Sequence, residues 1–409
     1  MKITYLHQYF NTPSMSGGTR SYEMGRRLVQ RGHEVHVVTS WREPTDHRTW
    51  FHSNEDGLHV HWFPVPYSNR MSYARRIRAF VSFAVASARK AAALGGDVVL
   101  ATSTPLTIAI PGVFASRWTR RPMVFEVRDL WPELPIAVGA LSNPLSVRLA
   151  RWLERFAYRN SRHIIALSPG MRDGVAATGY PSARISVIPN ACDLELFSRQ
   201  EAAGEAFRER TPWLRDRPLV VYAGTLGKIN GVGYLVDLAA AALSLEPELR
   251  FLVVGDGAEW EDVMGRARDR GVLDKTFFMM RQIAKADMPA VMSAATISTS
   301  LFIDLPAMRN NSANKFFDAL AAGTPVAVNY RGWHAELLEA EEAGIVLDPR
   351  DPAAAAVAIA AAVRDRAWLH RAGANASRLA ETRFDRDRLA DELERALVRV
   401  GSERGPRPG

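Results

Sequence analysis

The runs KITYLH (residues 2–7), TRSYEMGRRLVQR (19–31) and EVHVVT (34–39), with Gly32 before the last of them, decide the fold. The first and last runs are short, apolar and rich in β-branched residues, as buried strands are. The middle run predicts a helix, and Gly32 is the residue type that closes helices in a left-handed conformation. A strand, a helix and a second strand in this order predict two parallel strands of one α/β sheet.

The same alternation continues along all 409 residues. Further strands of the first half are predicted at 59–63, 98–102, 123–127, 163–167 and 186–188. After a boundary within 193–211 the pattern restarts, with strands at 219–223, 250–254, 276–279, 296–300, 325–328 and 344–347. The chain is therefore predicted to form two Rossmann-like, doubly wound parallel-sheet domains, residues 1–195 and 196–384, followed by a helix at 385–402 and a disordered tail at 403–409.

Composition and charge limit the class of protein. The apolar fraction of 47% and the charged fraction of 23% are those of a soluble globular protein. The strand pattern begins at Ile3, which predicts no signal peptide, and the single cysteine, Cys192, fits a reducing compartment. Residues 1–195 contain 24 Lys and Arg against 14 Asp and Glu, whereas the rest of the chain contains 28 against 30. The first domain is therefore expected to contact an anionic partner.

Three glycine-containing turns, at residues 17–18, 224–231 and 255–257, are candidates for phosphate binding, since ligands of open α/β sheets lie beyond the strand ends. Gly17 and Gly18 precede the first helix, where backbone N–H groups can approach a phosphate. Gly224 and Thr225 follow the first strand of the second half, and Lys228 lies close behind them as a cation for an anion. The first turn lacks G-x-G-x-x-G, which disfavours a nicotinamide dehydrogenase.

The segment around 309–325 gives the strongest local signal. Small polar residues suited to capping precede a predicted helix that ends at Gly323, so its free N–H groups would suit a diphosphate. Asp318 follows Asn314 by one helical turn and can accept hydrogen bonds from sugar hydroxyls. The donor-binding candidates in this segment are Asn311, Ser312, Asn314, Lys315 and Asp318.

Other charged residues suggest a reaction centre and a membrane surface. Glu126, Arg128, Asp129 and Glu133 lie at or just past a strand end, where they need solvent or a ligand. Two basic helices, near 70–90 and 148–162, predict contact with an anionic membrane. Their candidate residues for acceptor or membrane contact are Arg75, Arg76, Arg78, Arg151 and Arg155. Nucleic acid is disfavoured, because these arginines are not interleaved with stacking aromatic residues.

With these motifs, the chain resembles the glycosyltransferases of the GT-B fold, family 4 type. The resemblance rests on residues 7–39, on VIPNACD (187–193), on 126–133, which is similar to the branch of bacterial O-antigen and capsule amino-sugar transferases, and on 314–325. It implies retaining transfer from a nucleotide sugar without a metal or other cofactor, and a last helix that crosses back to the first domain. It also implies that Asp318 holds the ribose.

The resemblance leaves some positions altered. Asn310 stands where many members have a sugar-binding glutamate. Thr225 and Asn230 stand where many have an arginine and a lysine for the diphosphate, so Lys228, with Lys315 or Arg281, is expected to supply the charge. Asp129 or Arg128 lies at a position near the reacting sugar that is a histidine elsewhere, and Asp129 is favoured.

These features predict a peripheral enzyme on the cytoplasmic face of a bacterial membrane, which moves a sugar from a nucleotide sugar, with UDP as the expected nucleotide, to a polyprenyl diphosphate-linked glycan in surface polysaccharide synthesis. A soluble-acceptor transferase of natural-product type, a UDP-sugar epimerase and a non-catalytic GT-B subunit remain as alternatives. The missing arginine and lysine at Thr225 and Asn230 favour the last of these.

Overall fold

The computed structural model describes residues 1–15, 17–65 and 73–402, without the side chains of residues 73, 74, 76 and 77. The chain divides into two compact units. Unit 1 contains Met1–Pro189 and Asp387–Gly409, and unit 2 contains Asn190–Arg386. The division falls between Pro189 and Asn190, before the segment in which the sequence placed the boundary. The predicted tail at 403–409 and the first residues of the predicted basic helix near 70–90, residues 70–72, lie outside the described residues.

Unit 1 is built on an eight-stranded sheet with the order β3-β4-β2-β1-β5-β6-β7-β8. Its strands are β1 Lys2–Leu6, β2 Glu34–Trp41, β3 Phe51–Glu55, β4 Leu58–Pro64, β5 Val98–Thr102, β6 Met123–Val127, β7 His163–Ala166 and β8 Ile185–Val187. Its helices are α1 Arg20–Gln30, α2 Tyr73–Leu94, α3 Ala109–Thr119, α4 Glu133–Ala137, α5 Pro144–Arg159 and α6 Pro169–Ala177, joined by the last helix of the chain. All pairs are parallel except the edge pair β3–β4.

Unit 2 is built on a six-stranded parallel sheet with the order β11-β10-β9-β12-β13-β14. Its strands are β9 Leu219–Ala223, β10 Arg250–Val254, β11 Phe277–Met280, β12 Ile297–Ser300, β13 Val326–Val328 and β14 Gly344–Val346. Its helices are α7 Leu194–Phe197, α8 Glu201–Glu209, α9 Gly233–Ala242, α10 Trp260–Asp269, α11 Met288–Ala294, α12 Asn314–Ala321, α13 Trp333–Glu341, α14 Pro352–Arg364 and α15 Arg366–Thr382. The last helix, α16 Arg386–Ser402, begins at Arg386, the last residue of unit 2, and belongs to unit 1 from Asp387 onward.

Helices cover both sheets, which is why their inner strands are apolar along their whole length rather than in alternation. All five residues of β5 and of β6 are buried, and so are those of β10. Each unit has its own core: Phe83, Phe125 and Tyr158 pack in unit 1, whereas Tyr222, Phe251 and Phe277 pack in unit 2.

Polar contacts fix α16 to unit 1. The Arg27 side chain on α1 pairs with Asp387, and Arg31 pairs with Asp391. His33 Nε2 lies 2.8 Å from the carboxylate of Glu394. These contacts join the first helix of the chain to its last helix.

The fold class predicted from the sequence is confirmed, since both units are doubly wound parallel α/β structures. Every predicted strand is present, with ends that differ by no more than two residues. The predicted helix at 19–31 is α1, and Gly32 after it has φ +84°. Strand β3 was missed because its sequence, FHSNE, alternates half-buried and exposed positions and lacks an apolar run.

Candidate active site

In unit 2 the strand order reverses at β9 and β12, which are neighbours although the chain passes through β10 and β11 between them. In open α/β sheets, ligands bind beyond the carboxyl ends of the strands at such a position. The turn Gly224–Gly231 follows β9, and Leu301 follows β12. This is the candidate donor site, and we refer to it as the unit 2 crevice.

The glycines of the unit 2 crevice are required by packing. Gly255, in the turn after β10, has φ +157°, and a Cβ there would lie 1.9 Å from the carbonyl oxygen of Gly224. A Cβ at Gly257 would lie 2.3 Å from the carbonyl oxygen of Leu226. Only glycine allows the two turns to meet backbone to backbone, and this contact fixes the turn that carries Thr225 and Lys228.

Lys315 supplies a cation to the unit 2 crevice. Its Nζ donates to the Tyr222 hydroxyl at 3.1 Å and to the Leu301 carbonyl at 3.5 Å, and it lies 4.8 Å from the ring centroid of Phe302. When its amide is turned so that the oxygen faces the ammonium, Asn230 accepts from the same Nζ at 3.1 Å. Removal from water lowers the pKa of Lys315 to about 7. In the described part of the chain no carboxylate pairs with it.

Lys228 is exposed in a short 3-10 turn of the same segment. Lys315, rather than Lys228, contacts Asn230, the position at which many members of the family have a lysine. Arg281 pairs with Asp256 at 2.7 Å and lies over the Trp260 ring. Both arrangements leave Lys315 as the cation held deepest between β9 and β12.

Asp318 lies one helical turn beyond Asn314 on α12, in a partly buried site. Burial raises the pKa of Asp318 to about 7, whereas the nearby cations Lys285 and Arg386 act in the opposite direction. Both cations are engaged by Asp193, at 3.1 Å and 3.0 Å. The Asp318 carboxyl therefore titrates near neutral pH. Hydrogen bonds donated by a ligand would favour its ionised form.

The start of α12 corrects one expectation. The sequence predicted polar capping residues, but the N-cap is Ala313 and no side chain among the described residues caps the helix. Asn311 and Ser312 are instead used to shape the loop: Asn311 Oδ1 accepts from the Ala313 N–H at 3.2 Å, and Asn190 N donates to Ser312 Oγ at 3.1 Å. The first-turn N–H groups of Asn314 and Lys315 thus remain available to an anion.

In unit 1 the order reverses at β1 and β5. Gly17 has φ +125°, and a Cβ there would lie 2.6 Å from Asn11 Nδ2, which also donates to the Gly18 carbonyl at 3.4 Å. A side chain at Gly17 would therefore displace Asn11. The Gly17–Gly18 turn leads directly into Thr19, whose side chain does not cap α1.

Glu126 was expected to need solvent or a ligand, and this expectation is wrong. Its carboxylate is buried and pairs with Arg20 at 2.9 Å, while the Thr102 hydroxyl donates to it at 2.6 Å. Arg20 also donates to the carbonyls of Ile188 and Pro189 at 2.9 Å and 2.5 Å. Burial opposes ionisation, but Arg20 and Arg128 hold the pKa of Glu126 below its usual range. The Arg20–Glu126 pair is therefore a buried structural ion pair.

Arg128 and Asp129 follow β6 and remain accessible. The Arg128 backbone N–H donates to Ser103 Oγ at 2.8 Å, and Thr104 Oγ1 lies 3.5 Å from Asp129 Oδ2. Desolvation by neighbouring atoms raises the pKa of Asp129, against the charge of Arg128, although the residue keeps an exposed surface. The turns after β5 and β6 thus bring these two candidates together beside the reversal point of unit 1.

The basic helices carry exposed apolar side chains. Arg75 and Arg78 on α2 and Arg151 and Arg155 on α5 are exposed, and the side chain of Arg76 lies outside the described residues. α3 and α5 are neighbours in the same core layer, and Arg117 Nη2 donates to Asn160 Oδ1 at 2.7 Å between their ends. We call their outward surface the α3–α5 face; its exposed apolar side chains are Ile110, Phe114, Trp118, Leu145, Leu149 and Trp152. Of the helices that the structure describes, none has the length and hydropathy of a membrane span.

Sequence reasoning missed several of these residues. Arg20 and Tyr222 act through partners far away in the chain, so spacing gave no signal for them. The α3 half of the α3–α5 face has exposed residues at 110, 114 and 118, a helical i, i+4, i+8 spacing that reads equally well as a core stripe.

Two family models match the chain, and together they cover most of it. The glycosyl transferase 4-like domain matches residues 17–191, and the glycosyl transferases group 1 model matches residues 217–365. The chain belongs to the GT-B glycosyltransferases of the family 4 type. The first matched range begins after β1 and ends two residues beyond Pro189, the last residue of unit 1 before unit 2, whereas the second lies within unit 2 and contains the reversal point at β9 and β12.

Individual proteins similar to this glycosyltransferase are more distant. The 2-deoxystreptamine glucosyltransferase of Streptomyces kanamyceticus is 25% identical over 63% of this chain and 62% of its own length. This chain thus spans less than two thirds of that relative. The solved Anabaena Alr3699/HepE, in complex with UDP and glucose, has a TM-score of 0.73 at 18% identity, over 98% of this chain and 100% of its own. Sucrose-phosphate synthase from Thermosynechococcus elongatus has a TM-score of 0.78 at 20% identity, over 98% of each chain.

Proposed function

We propose that the protein transfers a sugar from a UDP-sugar, with retention of configuration, to a lipid-linked glycan at the cytoplasmic face of a bacterial membrane. The observation that carries this proposal is Lys315 in the unit 2 crevice, where it supplies a cation beside Asn230 and the uncapped start of α12. The choice of UDP is supported by a similar fold solved with UDP and glucose.

The chemistry follows from the charge that develops on the leaving group. Cleavage of the anomeric C–O bond leaves an oxocarbenium-like sugar and a diphosphate with increased negative charge. The first-turn N–H groups of α12, the Lys315 ammonium and Lys228 stabilise that charge, and Asp318 accepts hydrogen bonds from the ribose. The stabilisation comes from fixed dipoles and cations, so we expect transfer to need no metal ion and to persist in EDTA.

Retention fits a leaving phosphate that takes the proton of the acceptor hydroxyl on the same face of the sugar. The hydroxyl oxygen then bonds to the anomeric carbon as the C–O bond to phosphate breaks. In this reaction Asp129 contacts the reacting sugar, and no covalent sugar–enzyme intermediate forms. The anomeric configuration of the product, measured by NMR, tests this account: inversion would contradict it.

The α3–α5 face supports the lipid-linked acceptor and the membrane location. Trp118 is 73% exposed and Trp152 is 57% exposed, and the arginines of α5 flank the apolar strip. A strip of this kind, with tryptophan and arginine together, suits the interface of an anionic bilayer.

Cosedimentation with liposomes tests the membrane part. We expect the protein to bind vesicles that contain phosphatidylglycerol at low salt, and expect the paired change Trp118→Ser and Trp152→Ser to release it. Replacement of Trp213, which is stacked on Phe278 in unit 2, by Phe is the matched control. Equal binding to neutral and anionic vesicles, or binding unaffected by the paired change, would contradict a membrane role of this face.

A soluble acceptor is the second candidate, because a similar curated protein is named for 2-deoxystreptamine. Assays with a polyprenyl diphosphate-linked sugar and with an aminocyclitol distinguish the two. Transfer to the aminocyclitol alone would replace the lipid-linked acceptor by the soluble one.

A further inference from the structure

Three residues of unit 1 lie directly beyond the carboxyl ends of three strands. His7 follows β1, Arg42 follows β2 and Arg128 follows β6, and the order β2-β1-β5-β6 sets them around the position where the strand order reverses. This is the place where an open α/β sheet binds its ligand. Of the three, only Arg128 was identified from the sequence.

The two guanidinium groups are half-buried and lack an anionic partner. Arg42 donates to Asn11 Oδ1 and lies 5.7 Å from the ring centroid of Tyr9, and Arg128 Nη1 lies 3.5 Å from His7 Nε2. Within the described ranges neither arginine forms an ion pair: Glu126 pairs with Arg20, and Glu126 and Asp129 feel the charge of Arg128, which acts to lower the pKa of each, without pairing with it. Positive charge that is partly withdrawn from water and left unpaired favours an anionic ligand.

His7 is a buried, uncharged residue of this site. Its side chain is 2% exposed, and burial, with the charges of Arg128 and Arg42, holds the pKa of His7 well below its usual range. Both guanidinium groups are thus close enough to affect one imidazole. His7 Nδ1 and Gln8 Nε2 are buried polar atoms without a partner among the described residues. Buried orphans of this kind are rare unless a ligand or water satisfies them.

We propose that Arg42 and Arg128, beside neutral His7, form a subsite for the phosphate of the acceptor, namely the diphosphate that joins its first sugar to the lipid. This inference rests on the proposed function and specifies the acceptor. Arginine presents parallel N–H donors that match phosphate oxygens. A neutral glycan would leave both cations without a counter-ion, and the donor diphosphate has its own cation, Lys315, in unit 2.

Kinetics with paired acceptors test the proposal. One acceptor is a sugar linked through diphosphate to a short prenyl chain, and the other is the same sugar as its neutral prenyl glycoside. We expect Arg42→Gln to raise KM for the diphosphate acceptor about tenfold or more, with KM for the UDP-sugar and for the neutral glycoside unchanged. Arg184→Gln, at an exposed position of unit 1, is the matched control. Equal effects on both acceptors would overturn the proposal.

A binding measurement separates this proposal from the proposed function. With UDP present to fill the donor site, geranyl diphosphate is titrated into wild type, Arg42→Gln and Arg128→Gln, with geraniol and geranic acid as the uncharged and carboxylate probes. We expect wild type to favour the diphosphate and each variant to lose that preference. Wild type that binds all three probes alike, or variants that bind like wild type, would contradict the subsite even if sugar transfer occurs. Selective binding without transfer to any lipid-linked acceptor would support the subsite and contradict the proposed function.

Discussion

Arg20 Nη2 lies 2.9 Å from Glu126 Oε1, and the two side chains are 3% and 2% exposed. Arg20 is the first residue of α1, and Glu126 lies in β6 two residues before Arg128. The same guanidinium binds the carbonyls of Ile188 and Pro189, the last residues of unit 1 before the chain enters unit 2. One buried ion pair therefore fixes three segments that lead to the Gly17–Gly18 turn, to the Arg128–Asp129 turn and to the connection between the units.

Glu126→Gln should destabilise the protein, because it leaves the Arg20 charge buried without its counter-ion. Loss of one partner of a buried pair costs about 3–5 kcal/mol. Urea denaturation measures this, with Asp173→Asn as control, since Asp173 forms an exposed pair with Arg172 that should contribute less than about 1 kcal/mol. Equal, small effects of the two changes would show that the pair does not hold unit 1 together.

Lys315→Met should weaken UDP-glucose binding about tenfold or more, since it removes the cation of the unit 2 crevice while retaining much of the side-chain volume. Isothermal titration calorimetry measures the affinity. Lys275→Met, at an exposed position of the same unit, is expected to bind like wild type. If Lys228→Met weakened binding and Lys315→Met did not, the exposed lysine would be the diphosphate ligand instead.

Asp318→Ala should also weaken UDP-glucose binding markedly, because the ribose hydroxyls lose their acceptor. Glu339→Gln is the control, since Glu339 lies on α13 and its exposed carboxylate pairs with Arg331. Wild-type affinity in Asp318→Ala would refute the ribose role.

The pH dependence of the two donor-site variants should have opposite signs. The pKa values of Lys315 and Asp318 both lie at about 7, lowered for the lysine and raised for the carboxyl by burial. The ligand favours the ammonium, which is lost as pH rises, and the carboxylate, which is gained. Between pH 6 and 8, binding by Asp318→Ala should therefore weaken, whereas binding by Lys315→Met should strengthen. Parallel slopes for the two variants would contradict these assignments.

Glu154→Gln should stabilise the protein relative to wild type, by an amount that depends on pH. It is 5% exposed, and burial, with the charge of Glu133, raises the pKa of Glu154 from 4.5 to about 7. The unfolded chain ionises first, so wild type loses stability as pH rises from about 4.5 to about 7. Glu154→Gln lacks this loss, and its stability relative to wild type should rise over that interval by about 2 kcal/mol after allowance for solvent screening. A difference that is constant from pH 4.5 to 8 would contradict the shift.

The parallel strands could be predicted because strands that are buried on both faces are short runs of apolar residues, which can be recognised in each segment by itself. Strand β3 could not, since FHSNE lacks an apolar run and is held by antiparallel pairing with β4. The edge of a sheet imposes weaker demands on composition than its centre does.

Helix α12 could be located from its sequence, but the contacts that its residues make could not. Lys315 reaches Tyr222, which is 93 positions away in the chain, and Arg20 reaches Glu126 across 106 positions. Contacts of this kind depend on how the strand ends converge, and spacing does not encode them. For the same reason His7 and Arg42 could not be identified from the sequence. Glu126 was taken for a site residue because its partner, Arg20, could not be predicted.

The most direct measurement is the release of UDP by the purified protein in the presence of a UDP-sugar and a polyprenyl diphosphate-linked sugar, with product followed by mass spectrometry. We predict UDP and lengthened acceptor in equal amounts, and a loss of both in Lys315→Met. UDP-sugars, GDP-sugars and TDP-sugars that all fail to raise the melting temperature or to yield product would contradict the claim that the unit 2 crevice binds a sugar nucleotide.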